Sequence, residues 1–236
     1  MTVDRGCAGV RNPGPGPTPP PLDVSDALEL NDVSKRYGQR WALARLDLEL
    51  RVGSSLLLTG HNGSGKTTLL RILATAFRPT TGRVRIFGRD AVADRESLRP
   101  RIALLGHTSF LYEDLTAREN CALLARLAGR SSAEARAVLD RVGLGARADQ
   151  PVRTFSAGMK KRVAIARLLL KQPELALLDE PFGALDPAGI AEMEQHVRTL
   201  TRSGATVVLA THQVSHGITL CTERLHLVEG RRATPS

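Results

Sequence analysis

Apolar and polar positions change their spacing several times along the 236 residues, and each change marks an element. Leu28-Glu29-Leu30-Asn31-Asp32-Val33 alternates, and Leu46-Asp47-Leu48-Glu49-Leu50 alternates again, as antiparallel strands with one wet face do. Lys35-Arg36-Tyr37-Gly38 between them reads as a turn carrying an exposed tyrosine. Leu56-Leu57-Leu58-Thr59 is a continuous apolar run, the pattern of a parallel strand covered on both faces. Leu69-Leu70-Arg71-Ile72-Leu73 has helical spacing, and Arg83 to Phe87 is a short strand entered through Thr81-Gly82 and left at Gly88. Ile102 to Gly106 is a buried strand running into the polar His107.

The next stretch is mostly helical. Thr116-Ala117-Arg118-Glu119 has capping-box spacing and opens a helix through Leu127, while Ser131/Ser132 opens Ala133 to Val142, stopped by Gly143. Ser156 caps a helix running to about Lys171, with Val163, Ala166 and Leu170 on one face. Strands at Leu175–Leu178, Ala205–Ala210 and Leu225–Val228 then alternate with helices at Ile190–Leu200 and Ser215–Cys221. Strands alternating with helices predict an α/β fold with a parallel sheet. His107, Asp179 and His212 fall at strand ends, where such sheets hold ligands. Ahead of all this, NPGPGPTPPP makes residues 1–26 read as a disordered leader, and residues 27–236 as the folded domain.

Gly60 to Thr68, GHNGSGKTT, joins the apolar strand to the following helix. Strand, Gly-rich turn and helix together are the context in which G-x-x-x-x-G-K-[ST] binds a nucleotide. Glycines at 60, 63 and 65 free the backbone of His61, Asn62 and Ser64 to curl its N–H groups around a polyphosphate. The helix beyond adds its positive end. Lys66 would reach the β/γ-phosphates, and the Thr67 hydroxyl, beside Thr68, would ligate Mg²⁺. Asp179-Glu180 after an apolar strand then divides into a metal partner, Asp179, and a general base for water, Glu180.

Charge adds less. Lys and Arg total 33 against 24 Asp and Glu, a net +9, which suits a nucleotide, a nucleic acid, an acidic lipid surface or simply a solvated basic face. The basic residues are scattered with no aromatic-laced patch, so no nucleic-acid partner is expected. Cys7, Cys121 and Cys221 are odd in number, far apart and without C-x-x-C spacing, as reduced thiols are. No apolar run approaches the roughly 20 residues of a membrane span, so a membrane role must come through a partner. His212 and His216, four apart, have the spacing of a metal pair but no further ligand in reach.

From Ala27 to Gly230 the chain resembles the ATP-binding-cassette ATPases, through GHNGSGKT (60–67), FSAGMKKR (155–162), LALLDEP (175–181), GALD (183–186) and His212. The resemblance implies a P-loop NTPase of that type, a mixed sheet with an antiparallel β subdomain and an inserted helical subdomain at about residues 108–172. It implies a head-to-tail homodimer with ATP and Mg²⁺ sandwiched at the seam. Ser156 and Gly158 would serve the ATP held by the other subunit, and Tyr37 would stack on adenine. His212 would contact the γ-phosphate and the attacking water, catalysing with Lys66 and Glu180. His107 stands where the family usually has Gln, and a neutral His offers one acceptor where Gln offers a carbonyl.

LLGHTSFLYEDLTAREN with FSAGM is similar to one subgroup, the haem-exporter ATP-binding subunit of cytochrome c maturation. Membership implies integral-membrane permease partners, a peripheral place on the cytoplasmic side of the inner membrane, and haem met only indirectly. The alternatives are an exporter ATPase for a lipid or drug, and a nucleic-acid- or ribosome-acting cassette protein. The latter class usually pairs two cassettes in one chain or adds coiled-coil arms, and this sequence has one phosphate loop and no sustained heptads.

Overall fold

In the computed structural model, which describes residues 25–106 and 109–233, two sheets enclose a single helix. Residues 1–24 of the leader expected over 1–26, and His107, lie outside the described residues, and Asp26 already opens β1. β1 (Asp26–Tyr37) and β2 (Arg40–Arg51) pair antiparallel with Leu30 opposite Leu48. Both outrun their alternating stretches. Lys35-Arg36-Tyr37 is strand rather than turn, because it continues the ladder as far as Tyr37 opposite Arg40. β4 (Thr81–Ile86) pairs with the other side of β1, and β5 (Arg89–Asp90) completes the order β2-β1-β4-β5. Two residues are too few to show a period, so β5 left no mark in the pattern.

The second sheet contains β3 (Ser55–Thr59), β6 (Ile102–Leu105), β7 (Leu175–Asp179), β8 (Thr206–Ala210), β9 (Glu223–Val228) and β10 (Arg231–Ala233). Its order is β10-β9-β3-β8-β7-β6, parallel except for β10 at the edge. β10 had no apolar signature because it begins Arg231-Arg232, both exposed.

Successive side chains of a strand point to opposite faces, and the central strands divide their residues between two cores accordingly. Leu56, Leu58, Leu177 and Val208 face one core with α1 (Lys66–Leu73) and the inner side of the antiparallel sheet, Leu28, Leu30, Leu46 and Ile86. Leu57, Ala176, Leu178, Val207 and Leu209 face the other. That core is filled by α3 (Ala117–Leu127), α4 (Glu134–Arg141), α5 (Ala157–Lys171) and α6 (Pro187–Arg202). Each fully buried leucine contributes about 1.5–3 kcal/mol, and the buried polar residues of these strands, Ser55, Asp179 and Thr206, stand at strand ends.

Helix starts follow the capping chemistry in the sequence. Thr116 Oγ1 accepts from the Glu119 amide at 3.1 Å, and the Thr116 amide donates back to Glu119 Oε2 at 2.8 Å. Ser156 Oγ accepts from the Met159 amide at 3.2 Å, and Asp186 Oδ1 from the Gly189 amide at 3.0 Å. The short helices α2 (Arg95–Leu98) and α7 (Val214–Leu220) complete the chain. α7 sits close on β3: a Cβ on Gly217 would stand 2.4 Å from Leu57 Cδ1.

Candidate active site

β3 delivers the chain to Gly60, and α1 takes it away from Gly65. Gly65 has φ 108°, and a Cβ there would fall 2.4 Å from the Ala42 carbonyl oxygen, so the loop can lie against β2 only with glycine. No side chain caps α1 and no acidic residue stands in its first turn, which leaves the amide donors and positive pole of the helix unopposed. Lys66 is buried at 8 % exposure and folds back so that Nζ donates to the Gly60 and His61 carbonyls, at 2.7 and 3.0 Å. An ammonium held this way keeps a third N–H for an anion above the loop.

Thr67 and Asp179 meet across the sheet: Thr67 Oγ1 donates to Asp179 Oδ2 at 2.8 Å. Two hard oxygens at this separation match adjacent corners of an Mg²⁺ octahedron with bonds of about 2.0–2.1 Å, so the donor set fits that ion. Asp179 is almost fully buried at the end of β7.

Glu180, the next residue, leaves the strand at φ 48°, a left-handed conformation that costs a non-glycine residue about 1–3 kcal/mol. The backbone there is tied down on both sides. The Glu180 amide donates to the Ala210 carbonyl at 2.8 Å, and its own carbonyl accepts from Lys161 Nζ at 3.0 Å. Its carboxylate is oriented from the end of β8. Oε2 accepts from Thr211 Oγ1 at 3.1 Å and lies 2.9 Å from His212 Nδ1, while Oε1 accepts from the His212 amide at 3.0 Å. A carboxylate only accepts, so Nδ1 of His212 carries a proton in this contact.

These groups border one cavity of about 520 Å³, lined by Tyr37, Arg40, Asn62, Gly63, Lys66, Thr67, Thr68, Asp179 and Glu180 among others. Tyr37, half exposed at the end of β1, packs edge-on against Phe77 at 6.2 Å between centroids, under Lys35 Nζ at 5.4 Å. The His61 ring is exposed and turns to its neighbour, Nδ1 lying 2.8 Å from the Asn62 carbonyl. Ser64 is fully buried, its Oγ without a partner among the described residues. Ser156 and Gly158 do not line the cavity. They stand at the start of α5, Ser156 exposed, with Gly158 so close to the 183–186 loop that a Cβ would lie 2.9 Å from the Ala184 carbonyl. His216 does not join His212 around a metal: its Nδ1 lies 2.7 Å from Glu194 Oε1 on α6.

Three contributors escape a sequence reading. Thr211 had no role until β8 and β7 proved to be neighbours. Arg40 reaches the cavity because β2 runs beside the phosphate loop, its guanidinium 3.3 Å from where a Gly63 Cβ would stand. Lys161 looks like one more basic residue in Lys160-Lys161-Arg162, yet it is 8 % exposed. Burial holds its ammonium at a pKa of about 8, against the opposing pull of the Asp179 and Glu180 charges.

Known proteins arrange themselves around these features. The ABC transporter family model matches residues 43–183. The daunorubicin resistance ATP-binding protein DrrA3 of Streptomyces coeruleorubidus is 39% identical over 210 residues, covering 87% of this chain and 66% of its own. The cytochrome c biogenesis ATP-binding export protein CcmA of Pseudomonas putida is 44% identical over 188 residues, covering 78% of this chain and 90% of its own. Among solved structures, a dimeric post-hydrolysis state of the ATP-binding cassette MJ0796 with ADP and Pi superposes with a TM-score of 0.82 at 28% identity, over 88% of this chain and 97% of that one. Fold, phosphate loop and strand-end carboxylates therefore agree with kinship, and the chain belongs to the ABC transporter family as an ATP-binding, ATP-hydrolysing cassette.

Proposed function

We propose that two copies of the chain close head to tail over two ATP molecules, and that the cycle drives an integral-membrane permease in haem handling for cytochrome c biogenesis. The observation that carries the catalytic part is the triple hold on Glu180: Thr211, the His212 ring and the His212 amide fix its carboxylate at the rim of the phosphate-loop cavity. Lys66 and the open end of α1 draw the triphosphate into place, Tyr37 offers its ring to adenine, and Arg40 adds positive charge at the mouth. Glu180 accepts a proton from water as the water oxygen bonds to the γ-phosphorus; the bond to the bridging oxygen breaks, and ADP and phosphate leave. Thr67 and Asp179 would hold Mg²⁺, which would neutralise phosphate charge when bound.

Ser156 and Gly158 stand outside their own subunit's cavity at a helix start, which suits phosphate contacts made in trans. A structural neighbour solved as a dimer with ADP and Pi supports dimerisation in general. No described helix is long and apolar enough to cross a membrane. The chain's ATP-binding transport relatives support docking on a separate permease at the cytoplasmic face.

For cargo, the higher identity and the 90% coverage of the cytochrome c biogenesis relative favour haem handling. The longer match to the daunorubicin-resistance protein, of which the chain spans about two thirds, favours a drug exporter as the second reading. Deleting the gene in its host and staining for covalent haem separates them. Loss of c-type cytochromes, restored by the chain and not by its Glu180→Gln variant, supports haem handling. Unchanged cytochromes with new drug sensitivity support the second reading.

A further inference from the structure

The catalytic turn is held from below as well as from the side, and the lower contact belongs to α5. Lys161 Nζ donates to the Glu180 carbonyl at 3.0 Å, from a side chain 8 % exposed. The same carbonyl accepts from the Gly183 amide at 3.3 Å. Glu180 itself sits at φ 48°, where a side-chain-bearing residue stays only when its surroundings over-determine it. Two of those surroundings, the Ala210 carbonyl and the Thr211–His212 pair, come from the end of β8. The third comes from the helix that opens with Ser156 and Gly158.

A buried amine is an expensive way to make one hydrogen bond, and an apolar side chain would fill the space without desolvating a charge. What lysine adds is a donor aimed at one carbonyl. That donor survives whether the amine is charged or neutral, since both forms carry N–H groups. Arg162, the next residue, reaches Asp186 Oδ1 at 3.5 Å and also pairs with Glu192, so the start of α5 is joined to both ends of the 180–186 segment.

We propose that Lys161 is a positioning residue: by gripping the Glu180 carbonyl it keeps the backbone turned so that the carboxylate faces the attacking water. The inference rests on Glu180 being the general base. Lys161 is not among the residues lining the phosphate-loop cavity and acts through Glu180 alone. Because it lies five residues after Ser156 on the same helix, engagement of that helix start by a partner's nucleotide reaches this subunit's own base through one side chain.

The test is a kinetic cycle on the full chain with its permease, using Mg²⁺-ATP. Lys161→Met removes the donor at similar volume and is expected to lower kcat about 100-fold, the cost of a misplaced reacting group, with KM for ATP within about twofold. In a Glu180→Gln background the same change is expected to alter the residual rate by less than about twofold, because the residue it acts through is already disabled. Lys161→Gln, which keeps an N–H donor without charge, is expected to recover at least about tenfold of the loss. If Lys161→Met fails to fold, judged by loss of nucleotide binding, Lys161→Gln is read alone, and a kcat below about one hundredth of the parent overturns the proposal. A kcat for Lys161→Met within about threefold of the parent overturns it, as does an equal loss in both backgrounds. Should Glu180→Gln itself turn over normally, the base assignment fails, a result distinct from failure of Lys161 to position it.

Discussion

His212 holds Glu180 twice, once through ring Nδ1, 2.9 Å from Oε2, and once through its main-chain amide, 3.0 Å from Oε1. Ring and amide come from one residue at the end of β8, while the carboxylate comes from the end of β7, its parallel neighbour. A carboxylate fixed at both oxygens has one orientation left, and the ring contact can be deleted without touching the amide.

Replacing His212 with Ala therefore leaves two of the three holds, Thr211 and the main-chain amide, and removes the ring that lies against Glu180 Oε2. We expect kcat to fall about 100-fold or more, with ATP affinity changed little, because the ring touches the carboxylate rather than the phosphate loop. Thr211→Val deletes one hydrogen bond to a charged group and should cost about tenfold. Steady-state ATPase assays beside equilibrium nucleotide binding separate the two quantities. A large loss of binding in His212→Ala would contradict this division.

Thr67 and Asp179 make a different prediction. Thr67→Val removes a hard oxygen while keeping the shape, and it frees Asp179 from the 2.8 Å hydrogen bond. The Mg²⁺ concentration for half-maximal turnover should rise about tenfold or more, whereas Thr67→Ser should restore it. A magnesium titration of ATPase rate reads this directly.

Much of this site was visible in the sequence because its chemistry is local. Gly60 to Thr68 is continuous, and Asp179-Glu180 ends a strand whose apolar run is hard to mistake. The caps at Thr116 and Ser156 were legible for the same reason: each bonds within three residues. What stayed hidden depends on which strands are neighbours. Thr211 meets Glu180 only when β8 lies beside β7, Arg40 meets the cavity only when β2 passes the phosphate loop, and Lys161 meets Glu180 only when α5 packs under its turn. Length misled as well, since the ladder of β1 and β2 carries Lys35 to Tyr37 as strand where local composition suggested a turn.

Stability responds to pH through Lys161 in a definite direction. Its pKa falls to about 8 in the folded protein from 10.5, so between those values the unfolded chain binds more protons. Stability from this group therefore rises as pH increases from about 8 to about 10.5, and below pH 8 its burial counts fully against the fold. Cys121 and Cys221, pushed up to about 12 by burial, act oppositely above pH 9. Urea unfolding of parent and Lys161→Met at pH 7.5 and 9.5 isolates the lysine. The variant's stability advantage over the parent should shrink at the higher pH.

Leu57 reports on the sheet itself. It is fully buried between α7 and the helices of the other layer, and Gly217 admits its side chain at close range. Leu57→Ala should cost about 2–5 kcal/mol in denaturant unfolding, as loss of a large side chain with partial collapse of the space does.

The most direct test is to mix the full-length Glu180→Gln variant with Mg²⁺-ATP and follow phosphate release together with mass by light scattering. The account predicts a stable ATP-bound dimer that releases phosphate at least about 100-fold more slowly than the parent. A variant that remains monomeric with ATP, or releases phosphate at the parent's rate, would contradict it.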